Sequence, residues 1–93
     1  MNKSEKEIAA IYISSCLDDM RKADKYGDAE AKEKATNDLK AYNQKLKDML
    51  CMKFEMFGLD YEKSVTRPIQ EVNKIAMVFY SQRVNGQQLK YPA

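Results

Sequence analysis

A chain of 93 residues, 44% hydrophobic and 32% charged, is sized for one domain with a modest core. Three Gly and two Pro are few for a β-rich or disordered chain and favour long, rarely broken helices. Sixteen basic and fourteen acidic residues, interleaved to a net charge of +2, read as a solvated surface rather than a nucleic-acid footprint.

Ser4 and Glu7 form a Ser-x-x-Glu capping box before an apolar run, which predicts a helix over about 4–26. Ala9, Ile13, Cys16, Met20 and Ala23 recur at alternating spacings of four and three, and Tyr12 and Leu17 widen that stripe. Asp18, Asp19, Arg21, Lys22, Asp24 and Lys25 are expected to face solvent. Ile13-Ser14-Ser15-Cys16 resembles a bacterial lipoprotein cleavage box. Glu5 and Glu7 stand where a cationic leader is needed, however, and the apolar run from Ile8 to Ile13 is short for its core, so that reading is set aside.

Gly27 suits the left-handed end of a helix, and Asp28 the cap of the next. So tight a join makes the two helices antiparallel. The second helix is predicted over about 29–57, with Ala35, Leu39, Tyr42, Leu46 and Met49 as its seam. Pairing around the turn sets residue i beside about residue 55 − i. Cys16 and Cys51 are then about 18 Å apart along the axis, at ~1.5 Å per residue, which excludes a disulfide between them. They form neither a Cys-x-x-Cys pair nor a secreted framework, so reduced core thiols and a cytoplasmic location are expected.

In the same register Met52–Phe57 overhangs the first helix. The run Met49-Leu-Cys-Met-Lys-Phe-Glu-Met-Phe57 is apolar nearly all round, and such a helix must be covered on every side. Met52, Phe54, Met56 and Phe57 are therefore the candidate partner-binding residues, covered partly by a third helix and partly by another chain, expected to be an identical one.

Gly58 is the expected stop of the second helix, with Leu59 as the contact after it, and 59–67 is read as a connection holding one turn capped by Asp60. Pro68 then opens a third helix over about 68–84, centred on Val72, Ala76 and Phe79. Asn85-Gly86 also reads as a hairpin turn beside the β-prone Met77–Tyr80, but neither flank alternates, so helix plus a polar tail over 85–93 is preferred. The fold class is all-α: a long antiparallel helical hairpin closed by a third helix, a three-helix bundle able to form oligomers.

Chemistry is sparse. The absence of His removes the usual general base and the commonest zinc ligand. Asp18, Asp19, Asp24 and Asp28 lack a calcium-loop spacing. The chain is read as a non-enzyme without cofactor or metal. Its expected role is that of a small protein-interaction module, namely an adaptor, inhibitor or assembly subunit, and its size is compatible with a mobile-element or phage accessory factor.

One alternative is nucleic-acid binding through the basic C-terminal part, where Lys63, Arg67, Lys74, Arg83 and Lys90 face only Glu71. A helix-turn-helix around Lys47–Phe57 and the Pro68 helix fits poorly, because the connection is too long. A second alternative is capture of a nucleotide or second messenger between protomers by Tyr12, Tyr42 and nearby Lys or Arg, against the simpler reading of half-buried tyrosines. No segment reaches the apolar length of a membrane span.

Overall fold

The computed structural model describes residues 1–57 and 60–85. The expectations for Gly58, Leu59, Gly86, Lys90 and the tail lie outside the described residues. Three helices follow one another: α1 (Lys3–Tyr26), α2 (Ala29–Phe57) and α3 (Arg67–Val84), the last entered from a π-helical turn, Glu62–Thr66. No strand occurs among the described residues, and Met77–Tyr80 lies inside α3.

The cap of α1 differs from the expected one. Asn2, not Ser4, is the N-cap. Its Oδ1 accepts from the Glu5 amide at 2.8 Å, and the Glu5 carboxylate accepts from the Asn2 amide at 3.1 Å. Asn-x-x-Glu does here what Ser-x-x-Glu was expected to do one turn-fraction later. The helix starts at Lys3, so Ser4 lies inside its first turn, and Glu7 is buried along the face toward α3.

At the other end Gly27 takes φ 67°, the Asp28 amide donates to the Ala23 carbonyl at 2.8 Å, and the Gly27 amide donates to that of Asp24 at 3.3 Å. This is a Schellman closure, which needs a residue without Cβ strain at that φ. Asp28 then caps α2 by accepting from the Ala31 amide at 3.1 Å.

α1 and α2 form the antiparallel hairpin. The Tyr12 and Tyr42 rings stack at 4.3 Å, and Lys32 pairs with Asp24 at 2.8 Å, both in the predicted register. α3 lies on another side of α1 and runs parallel to it. Lys6 pairs with Glu71 and Arg83 approaches Asp18 at 4.0 Å, the same step along both helices. α1 is thus the central helix, and α2 reaches the third segment mainly through the π turn. Ala9, Ala10, Ile13, Leu46, Val72, Ala76 and Phe79 are the core of this three-helix bundle.

The helical turn expected before Pro68, capped by Asp60, is present and is π-helical over Glu62–Thr66. Asp60 Oδ1 accepts from the Glu62 amide at 2.9 Å and starts a helix there. The Arg67 amide reaches back to the Glu62 carbonyl, the wider π pattern. That widening precedes Pro68, which has no amide to donate and whose ring crowds the carbonyl four residues back. The helix therefore runs through the proline, and its extra turn buries Val65.

Asp18 is a second correction. It was expected in solvent but is 3% exposed. Arg21 and Lys22 reach it at 2.8 and 3.1 Å, and Arg83 comes from α3. Burial pushes its carboxyl up, but the hydrogen bonds from Arg21 and Lys22 outweigh that and hold it below the usual range. A depressed folded pKa contributes stability above the unfolded value and loses it as pH falls through the folded one. Asp18→Asn is expected to cost about 1–3 kcal/mol near neutral pH, the lower half being favoured because its partners reach water. The variant should also lose less stability than the wild type on acidification below about pH 4. Thermal melts of both proteins from neutral to acid pH check this, and parallel acid profiles would refute it.

Candidate interaction surface

Where α1 begins, α2 is already near its own end, so its last turns continue past the hairpin partner. The π turn meets one flank of that extension. The Phe54 and Tyr61 rings meet edge to face at 5.3 Å and 87°. The Tyr61 hydroxyl also lies 3.9 Å from Cys51 Sγ. Leu50, one turn earlier, is fully buried.

The four expected partner-binding residues are therefore divided. Phe54 is half-buried against the third segment of the same chain. Met52, Met56 and Phe57 stay 62%, 71% and 65% exposed. A cluster of large apolar side chains left open at one end of a helix is a candidate contact site.

Two grooves border this end. One, of about 280 Å³, runs between α1 and α2; Met1, Ile8, Tyr42 and Met49 line it, with Glu5 and Lys45 at its rims. The other, of about 460 Å³, lies toward the π turn, where Phe57 joins Leu50 and Pro68 beside Lys53 and Lys63. Ile8 is 62% exposed and was not read as part of any surface. Its signal was present: it is a β-branched apolar residue off the seam spacing of α1.

The other candidate residues do not converge. Asp18 is held by its three cations, Asp24 by Lys32, and Asp28 caps α2. Among the described residues no group of three His, Cys, Asp or Glu side chains is placed to hold a metal. The Tyr12 and Tyr42 rings are stacked on each other. Cys16 is buried in the α1 seam, where burial pushes its thiol up, while Cys51 sits beside Tyr61.

The basic C-terminal part is also broken up. Arg83 approaches Asp18, and Glu71 is paired with Lys6, whose hydrogen bond holds that carboxyl below the usual range. Lys63, Arg67 and Lys74 remain exposed along the outside. No helix among the described residues is long and apolar enough to cross a membrane. No protein-family model matches the chain, and neither a curated protein nor a solved structure does, so the open end of α2 is the feature from which a role is read.

Proposed function

We propose that this protein is a small non-catalytic interaction module, an adaptor, inhibitor or assembly subunit, that docks a protein partner through the end of α2. The observation that supports the reading is the joint exposure of Met52, Met56 and Phe57 beside two apolar grooves. Covering one such side chain is worth about 1.5–3 kcal/mol. Unbranched methionines adapt to a partner's shape, and the aromatic ring supplies an anchor. Lys53, Glu55 and Lys63 around the patch are exposed and give it a polar rim.

The test compares the wild type with a Met52→Ser, Met56→Ser, Phe57→Ser variant. All three positions are exposed, so the melting temperature should change little. Solution mass, or retention of a protein from host extract on the immobilised chain, should fall in the variant alone. Equal mass and equal retention for both proteins would refute the reading.

A further inference from the structure

We infer that the occupant of this surface is a second copy of the chain, with the two α2 helices antiparallel about a two-fold axis at the level of Leu50. The inference rests on reading the end of α2 as a docking surface. Its basis is that an apolar ridge and an apolar groove lie next to each other along α2. Met52 and Met56 form the ridge, at positions four residues apart on one helix face. The groove between α1 and α2, with Ile8 and Met1 on one wall and Tyr42 and Met49 on the other, begins where the ridge ends.

A two-fold contact requires this kind of self-complementarity. The operation that sets one copy's ridge into the other's groove must return the second ridge to the first groove. With the axis level with Leu50, Met52 of one copy stands level with Asp48 of the other, beside its Ile8 and Met49. Met56 then stands level with Gln44, over Tyr42. Both methionines fall within the length of the groove.

Charge agrees with the same register. Lys45 lies at the groove rim and Glu55 beside the ridge. Neither has an ion pair among the described residues. The axis brings Lys45 of each copy level with Glu55 of the other, which makes two attractive pairs by symmetry. Lys47 and Lys53 are also brought level, but Lys47 lies on the opposite side of α2, in the groove toward Ile69 and Val72 of α3. A parallel pairing of the same helices would instead set Lys45 against Lys45 and Glu55 against Glu55.

The experiment is sedimentation velocity over a concentration series on the wild type, Lys45→Glu, Glu55→Lys and the double exchange. The wild type should be a dimer. Each single exchange should weaken the dimer about tenfold, because two attractive pairs become repulsive. The double exchange should restore it, with circular dichroism unchanged throughout. A dimer indifferent to all three variants overturns the register. A wild type that is monomeric at high micromolar concentration overturns the second copy as occupant. If that monomer retains a different protein through Met52, Met56 and Phe57, the docking reading stands without this inference; if it does not, both fail.

Discussion

Phe79→Ala is expected to destabilise the protein by about 3–5 kcal/mol, while Val78→Ala, one residue earlier, is expected to change stability by less than about 0.5 kcal/mol. Phe79 is 3% exposed and belongs to the core with Ala10, Ile13, Val72 and Ala76. Truncating it removes a ring's worth of burial and leaves a cavity among side chains held by three backbones, which relax only partly. Val78 is on the open side of α3. A domain of this size holds a total of about 5–15 kcal/mol, so the first substitution brings it close to unfolding at ambient temperature. Urea titrations give both values. Similar losses at the two positions would mean that α3 does not present Phe79 to α1.

Leu50→Ala is expected to cost about 2–5 kcal/mol, and Met52→Ala at most a few tenths in dilute protein. Leu50 is 1% exposed, although it lies off the seam of Leu39, Tyr42, Leu46 and Met49. It is buried where α2 leaves α1 and the π turn with Val65 takes over. The cost of Leu50→Ala thus measures how firmly that turn is docked. A loss below about 1 kcal/mol at Leu50, read from the same titrations, would mean that the turn packs loosely and the end of α2 is open on both flanks.

Much of the hairpin was legible in the chain itself. Gly27-Asp28 announces its turn chemistry locally, because a left-handed residue and a side-chain cap need only their immediate neighbours. Ala9, Ile13, Cys16 and Ala23 are buried as their spacing predicts, since a helix face repeats every three or four residues whatever it packs against. Val72, Ala76 and Phe79 were legible for the same reason. So was the difficulty at Met52, Phe54, Met56 and Phe57, where apolar residues on all sides exceed what one neighbouring helix can cover.

The tertiary structure decided how α1 is used. Glu7, Ala10, Ser14 and Asp18 recur at spacings of three and four and are all buried, so α1 has a second face, turned to α3. Hydrophobic periodicity is blind to that face, because small and polar side chains carry no apolar signal. They are buried by close backbone approach and by partners such as Arg83, which lie far away in sequence. The same holds at the candidate surface. Whether Phe54 or Phe57 is covered depends on where the π turn before Pro68 lands, and Ile8 joins a groove only because α2 packs alongside α1 between Tyr42 and Met49. Local propensity sets each helix and its main face. Which remaining faces find a neighbour is set by contacts between segments distant in the chain, and no local pattern encodes them.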